Sequence, residues 1–438
     1  MKSFLFGLLM FVVVVIGIGL WLGAPWFVVA GLSVVFAVWM AVTRRGRQAT
    51  SVAQVGISTI RERLGSSSVI VVGIAGVVAV LVAMFAMAEG YRQTLRASGS
   101  DDTVMVLRGA SAAEVMSTLE RESLNAVMGT AGIARDAQGR PLASAETVVA
   151  ANLPIKGGGK DEDGSVQLRG VGDQAFAVRP NLKIVAGRRF ESGRREVIVG
   201  QGAKRQFEGL EVGKQIRLGS ETWTVVGEFA SGDAMDSEMW ADADIVSAAY
   251  RRGSTRNSVI AKLESPKAFK AFKAALDADP RLDVDATTTA EYFAKQSEQM
   301  VKIIRIIGIV VGSIMAIGAV FGALNTMFAT VATRAREIAT LRALGFRSVP
   351  VVVAVMLETM LLALLGGLIG GALAWLIFNG FTASTIAGGV GQLTFKFAVS
   401  PGVMWEGLKW ALAIGFVGGL FPAVRAARMP VTEALRAA

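Results

Sequence analysis

The chain has 438 residues, and its composition is typical of a membrane protein, with 53% hydrophobic residues and a mean hydropathy of +0.51. It contains neither Cys nor His, which excludes disulfides, zinc sites built on those ligands, thiol nucleophiles and histidine acid–base chemistry. The net charge of +10 does not indicate nucleic-acid binding, because residues 90–300 hold 28 of the 45 basic and 29 of the 35 acidic residues. The whole positive excess therefore flanks the membrane.

Six apolar runs are each about 18 residues or longer, enough to cross a hydrocarbon core of roughly 30 Å as helices. They are Phe4–Leu22, Pro25–Val42, Ser68–Ala88, Ile303–Val331, Val349–Phe378 and Met404–Phe421. The first run could instead be a cleaved signal peptide, with Gly23-Ala24 as the cleavage site. We favour retention, because a second apolar run follows at once and an arginine cluster follows that run.

Arginine clusters predict the orientation of the chain. They are Arg44, Arg45, Arg47, Arg61 and Arg63, then Arg334, Arg336, Arg342 and Arg347, then Arg425, Arg428 and Arg436. The positive-inside rule places all three clusters in the cytoplasm. With six spans, both termini are then cytoplasmic, and the long polar segment after the third span is external.

The sequence thus predicts an α-helical transmembrane protein with a large α+β extracytoplasmic domain. In chain order, the predicted segments are an N-terminal hairpin 1–43, a cytoplasmic segment 44–67, a span 68–90, the external domain 91–299, a stalk and span 300–331, a cytoplasmic helix 332–348, a span 349–379, a short external loop 380–403, a span 404–421 and a cytoplasmic tail 422–438. A segment within 44–67 places apolar residues at spacings near three and four, namely Val52, Val55, Ile57, Ile60 and Leu64. This spacing predicts an amphipathic helix on the inner membrane surface, and a charged linker is the alternative.

Strand-like and helix-like patterns alternate in the external domain, which predicts an α+β fold. The strands are Thr103–Leu107, Glu196–Val199, Gln215–Leu218 and Thr222–Gly227, and the helices are Ala112–Glu122 and Pro266–Leu276. The glycine-rich stretch 157–163 is predicted to be an exposed loop, because it lacks the spacing of a phosphate-binding loop. A helical pattern over Tyr292–Ala329 is too long for the hydrocarbon, so it predicts a stalk helix that enters the membrane.

A short helix is predicted over Arg334–Leu344, with Ile338, Leu341 and Leu344 on one side and Gly345 at its C′ position. Such a helix can pack its apolar side on membrane helices and present guanidinium groups to an acidic groove of a partner. An ordinary solvated loop with orientation-setting arginines is the alternative.

The run Arg334-x-Arg336-Glu337-Ile338-x-x-Leu341-Arg342-Ala343-Leu344-Gly345 resembles the signature of FtsX-like permeases, the MacB-type, mechanotransmission or type VII ABC transporters. Glu358 and the glycine-rich run Leu365–Gly371 follow at the family spacing. The resemblance implies that 334–345 is a coupling helix that docks on an ATP-binding subunit. It also implies a family pattern of four spans, so the hairpin 1–43 is interpreted as an extra anchor, and shielding of a flank or recruitment of another membrane protein are the alternatives.

The C-terminal tail 422–436 is similar to the family's ending, which implies that Arg425, Arg428 and Glu433 lie along the ATPase. Four short external segments are similar, in their order, to the family's periplasmic core domain: Gly187–Phe190, Glu196–Gly200, Val212–Lys214 and Trp223–Glu228. Inside the fifth span, Glu358 is predicted to pair between helices, with a proton relay as the alternative. Gly366, Gly367 and Gly370 are predicted to allow close helix approach.

The resemblance implies a non-catalytic permease that binds no cofactor or metal, with ATP and Mg carried by a separate ATPase subunit present in two copies. The expected partners are a second permease, identical or paralogous, a periplasmic membrane-fusion adaptor and membrane lipid, without nucleic acid, in the bacterial inner membrane. The expected function is export or extraction of a substrate from the periplasm. An FtsX-like transducer that regulates a cell-wall hydrolase is the alternative, and a secondary transporter is disfavoured because inverted repeats are not evident.

Overall fold

The computed structural model describes residues 2–58, 63–158, 162–387 and 391–428, with side chains described from residue 12 onward except at 386 and 387. The chain divides into two compact units. The helical unit lies within residues 1–89, 303–379 and 398–438, and the sheet unit comprises residues 90–302 and 380–397.

The helices and strands are numbered in chain order. The helices are α1 Lys2–Gly23, α2 Trp26–Val42, α3 Arg44–Ser58, α4 Leu64–Ala97, α5 Arg121–Gly129, α6 Gln174–Val178, α7 Gln201–Gln206, α8 Ala243–Ala249, α9 Phe269–Asp277, α10 Thr289–Thr333, α11 Ala335–Ala343, α12 Ser348–Phe378 and α13 Pro401–Arg428. The strands are β1 Thr103–Arg108, β2 Ala143–Pro154, β3 Asp163–Val171, β4 Lys183–Gly187, β5 Glu196–Gly200, β6 Gln215–Leu218, β7 Glu221–Ala230, β8 Glu238–Asp242, β9 Ser258–Lys262, β10 Val284–Thr288, β11 Thr382–Ala387 and β12 Gly391–Lys396.

Among the described residues, four helices are long and apolar enough to cross a membrane: α4, α10, α12 and α13. A fifth candidate is the N-terminal pair Val12–Gly23 and Trp26–Val42, whose two arms are bent by 115°. The predicted class, a four-helix core with an added N-terminal pair and an α+β domain, is therefore confirmed. A separate crossing by each N-terminal arm stays a prediction.

The sheet unit is built on one mixed sheet of ten strands, in the order β10-β1-β9-β2-β3-β8-β5-β7-β4, with β6 paired to β7. The β3–β8 and β5–β7 pairs are parallel, and the other pairs of this sheet are antiparallel. Two apolar cores line it: one contains Phe207 and Trp223, the other Phe272 and Leu276. Strand β2 contributes to both cores, because Ala143 lies in the second and Val149 in the first.

The four predicted strands are confirmed as β1, β5, β6 and β7. The predicted helix Pro266–Leu276 is confirmed as a 3-10 turn, Pro266–Ala268, followed by α9.

The helix predicted over Ala112–Glu122 is wrong. That segment holds only the 3-10 turn Glu114–Met116 before α5 begins, because Leu119 exchanges backbone hydrogen bonds with Arg256 and the Ser117 hydroxyl accepts from the Arg108 amide. These tertiary contacts require extended backbone. Within the glycine-rich loop predicted over 157–163, residues 159–161 lie outside the described residues.

The segment predicted as a short external loop, 380–403, contains a β-hairpin, β11–β12, which belongs to the sheet unit. The backbone amide of Thr394 donates to the Ser237 hydroxyl at 2.8 Å. Phe395 is buried and meets the ring of Tyr91 edge to face, with 5.5 Å between centroids. The alternation of buried Leu393 and Phe395 with more exposed neighbours is the period of a strand, and it is too short to stand out from the flanking apolar spans.

The amphipathic segment folds as α3, but its buried face differs from the predicted one. The buried residues are mostly small: Gly46, Ala49, Val52, Ala53 and Gly56. Val55 and Ile57 are exposed, Leu64 begins α4, and Ile60 lies outside the described residues. Small residues let α3 pack closely along α12, and the contact of its exposed Val55 and Ile57 with lipid stays a prediction.

Candidate coupling site

The candidate coupling helix, α11, follows α10 after the single residue Arg334. Its C-terminus is closed by two backbone hydrogen bonds, from Phe346 to the Leu341 carbonyl and from Gly345 to the Arg342 carbonyl, each 3.1 Å. This is the Schellman arrangement, and it requires the left-handed backbone that Gly345 adopts at φ +98°. Both ends of α11 are therefore defined by the chain itself.

One face of α11 packs on the helical unit. Ile338 and Ala339 are buried, and Leu341 and Phe346 pack against a small cluster formed by Val52, Ala53 and Ala354. The N-terminal segment α3 thus supports the coupling helix directly. Leu344, which we expected on the same face, is instead 73% exposed because it lies at the C-cap, where the helix has ended.

An ion cluster holds the start of α11 against α12. The Arg334 guanidinium donates to Glu358 Oε2 at 2.9 Å and to Glu337 Oε2 at 3.0 Å, and Arg63 lies 3.6 Å from Glu358 Oε1. The Glu358 side chain is 5% exposed and that of Arg334 is 12% exposed. Arg334 is therefore turned inward to the buried carboxylate, and its contact with an ATP-binding subunit stays a prediction.

The remaining predicted coupling residues differ in exposure. Arg336 and Glu337 are exposed, and Arg342 is half-buried. Arg336, Glu337 and Leu344 therefore form the solvent-facing surface of α11. Their contact with an ATP-binding subunit stays a prediction.

Arg425 and Arg428, two of the predicted ATPase contacts, lie at the end of the last span, and they do not belong to a separate short helix. Helix α13 continues unbroken through Pro422 to Arg428. The exposed guanidinium of Arg425 lies over the Phe328 ring at 5.4 Å, and Ser348 Oγ donates to the Ala427 carbonyl at 3.3 Å. These contacts connect the ends of α13, α10 and α12. Glu433 lies outside the described residues.

The intramembrane glycines of α12 face two different helices. Gly366 and Gly370 face α4, and Gly367 faces Ala411 of α13. The approach is closest at Gly370, where an added Cβ would lie 2.4 Å from the carbonyl oxygen of Ala75. Backbone cannot move away as a flexible side chain can, so only glycine fits there.

The sequence analysis missed Lys409, a lone cation inside the last apolar run. Its side chain is buried in α13, and its ammonium donates to the carbonyls of Leu22 at 2.5 Å and Ala24 at 3.4 Å. The Trp21 ring N–H donates back to the Lys409 carbonyl at 3.0 Å. The ammonium thus satisfies carbonyls at the C-terminal end of α1, where the helix dipole favours a cation. The sequence could have revealed Lys409, because a cation inside an apolar run must find a partner.

A second missed feature is a buried ion cluster in the sheet unit, centred on Arg169 of β3. Its guanidinium lies 2.7 Å from a Glu114 oxygen and 2.8 Å from oxygens of both Glu146 and Glu238, and Arg179 lies 2.6 Å from Glu146. Burial by itself would raise the pKa of Glu146, but Arg179 and Arg169 together hold that pKa below its usual value. The same carboxylates raise the pKa of the buried Arg169 guanidinium well above its usual value.

The carboxylates of this cluster have further partners. The Ser258 hydroxyl donates to Glu114 at 2.6 Å, and the Trp240 ring N–H donates to Glu238 at 2.8 Å. The Tyr292 hydroxyl, in the first turns of α10, accepts from the Glu114 amide at 3.1 Å. Strands β2, β3 and β8 and the start of α10 therefore meet at one polar centre. In the described part of the chain, no group of acidic side chains has the arrangement of a metal site.

Comparison with known families agrees with this architecture. A family described as MacB-like periplasmic core domain matches residues 67–279, and one described as FtsX-like permease C-terminal matches residues 309–431. The chain belongs to the FtsX-like, MacB-type family of ABC transporter permeases. The resemblance seen in the motifs of 334–345 is thereby confirmed. Its apolar helices and its family indicate a membrane protein of the bacterial inner membrane, and the compartment of each terminus stays a prediction.

Relatives of this permease are distant in sequence. The macrolide export ATP-binding/permease protein MacB of Neisseria gonorrhoeae is 24% identical, over 66% of this chain and 47% of its own length. The ABC transporter permease YknZ of Bacillus subtilis is 24% identical, over 84% of this chain and 93% of its own. The crystal structure of the periplasmic region of MacB from Actinobacillus actinomycetemcomitans matches 47% of this chain and 97% of that chain, with 16% identity and a TM-score of 0.35. The permease spans about half the length of the MacB relatives.

Proposed function

We propose that this permease couples ATP hydrolysis by a separate ABC ATP-binding subunit to movement of its sheet unit, and that the movement drives export or extraction of a substrate from the periplasm or inner membrane. The observation that carries the proposal is α10, an unbroken helix of 45 residues followed directly by α11. At about 1.5 Å per residue the helix is roughly 68 Å long, more than twice the hydrocarbon thickness.

Each end of α10 has a specific attachment. At its start, the Thr289 hydroxyl accepts from the Ser100 amide at 2.9 Å, and Tyr292 bonds to the backbone of Glu114. At its end, Arg334 leads into α11 and pairs with Glu358. A displacement of α11 would therefore be passed along a stiff element, because a helix transmits movement along its axis better than a loop does.

The proposed complex contains two ATP-binding subunits and a second permease, identical or paralogous, with a periplasmic adaptor. The exposed apolar side chains of α10, which include Ile303, Ile307, Val310, Ile314, Ile317 and Phe321, offer a surface to lipid and to a second permease. The cofactors, ATP and Mg, belong to the ATP-binding subunits. Similarity to MacB, a macrolide export protein, supports export over the regulation of a cell-wall hydrolase, as does the MacB-like periplasmic core.

The test is a change to the solvent-facing surface of α11. We expect the double variant Arg336→Glu/Leu344→Asp to lower co-purification of the ATP-binding subunit at least tenfold, because it reverses a charge and removes an apolar contact. Glu337 is left unchanged because it pairs with Arg334. The matched control is Arg47→Glu on the exposed side of α3. Equal recovery of the ATP-binding subunit with both variants and the wild type would argue against docking at α11.

A further inference from the structure

We propose that a basic cavity beside the coupling helix binds the phosphate headgroup of an anionic phospholipid. The cavity has a volume of about 490 Å³ and is lined by Arg45, Arg342, Phe346, Arg347, Ser348 and Val349. Arg45 belongs to α3, Arg342 to α11, and Arg347 is the N-cap of α12. The cavity lies entirely within the helical unit.

The charge of the cavity favours an anion. Three arginines line it, and no acidic residue does. Arg45 and Arg347 are exposed, and within the described part of the chain neither pairs with a carboxylate. Convergent like charges repel one another, and a bound anion would relieve that repulsion. Guanidinium groups bind phosphate oxygens in a two-pronged geometry, so phosphate is the anion that suits this site.

The position of the cavity favours a lipid over a soluble anion. Arg45 follows the end of the apolar helix α2, at Val42, by three residues, and Arg347 directly precedes α12. Arginines at the ends of apolar spans lie at the level of the phospholipid headgroups, where basic pockets between helices bind anionic lipids. Phe346 and Val349 add an apolar side to the cavity that suits a glycerol backbone and the first methylene groups.

A lipid in this cavity would connect two parts of the helical unit. Phe346 packs in the same cluster as Val52 and Ala53 of α3, so the cavity lies beside an existing contact between α3 and the α11 cap. A phosphate held by Arg45 and Arg342 would strengthen that contact. The N-terminal segment would then make the coupling helix sensitive to the charge of the leaflet.

The test compares lipid retention by the full-length protein. Wild type, Arg45→Gln/Arg347→Gln and the control Arg44→Gln/Arg47→Gln are delipidated in mild detergent and incubated with equal amounts of phosphatidylglycerol and phosphatidylcholine. Bound lipid is counted by native mass spectrometry. The control removes the same number of charges from exposed positions that do not line the cavity. Wild type and control should prefer phosphatidylglycerol, and the cavity variant should lose roughly 10- to 30-fold of that preference.

A conservative variant, Arg45→Lys/Arg347→Lys, keeps the charge, so it should retain part of the preference and show that the cavity variant has not simply misfolded. Equal retention of phosphatidylglycerol by the wild type and the cavity variant would overturn the proposal. Displacement of the lipid by inorganic phosphate alone would overturn it in favour of a soluble anion. Unchanged lipid retention with reduced recovery of the ATP-binding subunit would overturn it in favour of a protein contact, while the proposed docking at α11 would still stand.

Discussion

The two buried ion clusters of this permease differ in composition and in what they connect. The Arg169 cluster of the sheet unit combines two guanidiniums with three carboxylates, and Arg169 and Glu146 are 3% and 0% exposed. The Glu358 cluster of the helical unit has one buried carboxylate shared by Arg334 and Arg63. The first joins neighbouring strands of a sheet, and the second joins helix ends.

This difference indicates different mechanical roles. In the sheet unit, each carboxylate has at least two partners, so the loss of one contact leaves others in place. In the helical unit, the single carboxylate of Glu358 holds both cations, and its contact with Arg63 is as long as 3.6 Å. The strands of the sheet unit are therefore held together by redundant contacts. The start of α11 depends more heavily on one buried carboxylate.

The largest expected effect comes from removing the centre of the Arg169 cluster. In Arg169→Met, three buried carboxylates lose their shared cation, so we expect the sheet unit to lose roughly 3–5 kcal/mol of stability. Hydrogen exchange of strands β2, β3 and β8 in the full-length protein measures this loss.

The matched control for that variant is Arg194→Met, because the Arg194 side chain is 64% exposed and pairs with Glu191 at the surface. Its expected cost is about 0–1 kcal/mol. Similar exchange rates in Arg169→Met and in the control would show that the buried cluster does not hold the strands together.

A smaller and more local effect is expected from Glu358→Leu. The substitution removes the buried carboxylate that Arg334 and Arg63 share, while Glu337 still pairs with Arg334, and this costs roughly 1–3 kcal/mol in local opening. Amide exchange should accelerate in α11 and remain unchanged in the strands of the sheet unit. Glu358→Gln, which keeps an acceptor oxygen for Arg334, should fall between the wild type and Glu358→Leu.

The control for Glu358 is Glu337→Gln, because the Glu337 side chain is 56% exposed although it also pairs with Arg334. Its effect on α11 exchange should be the smaller of the two. If Glu337→Gln loosened α11 more than Glu358→Leu did, the assignment of Glu358 as the anchor would be wrong.

The smallest expected effect is the loss, at acidic pH, of the stability that Glu146 contributes. Because the folded-state pKa of Glu146 is lowered from its usual 4.5, its contribution to stability is complete above pH 4.5 and is lost as the pH falls through the folded pKa. The difference in thermal midpoint between wild type and Glu146→Gln should therefore be constant above pH 4.5 and shrink below it. Tryptophan fluorescence reports the transition, since Trp223 and Trp240 are buried in the sheet unit. A difference independent of pH would contradict the ionised state of Glu146.

Local patterns were sufficient for much of the fold. The apolar runs, the helical pattern over Tyr292–Ala329 and the C′ position of Gly345 depend on neighbours within a few turns, so they could be predicted from the sequence. A short run of β-branched residues also predicted the strand Glu196–Val199, which is buried on both faces. The helix over Ala112–Glu122 failed because contacts with distant residues outweighed its local helical pattern.

The sequence by itself determined the membrane class, the family and the position of α11, because hydropathy and a contiguous motif are properties of the chain. Only the tertiary structure decided the partners of its charges. It turned Arg334 inward to Glu358, placed Lys409 on the end of α1, and gathered Arg169 with carboxylates from distant segments. The physical reason is that a buried charge takes its partner from whatever the fold brings within a few ångströms, and sequence separation does not encode that distance.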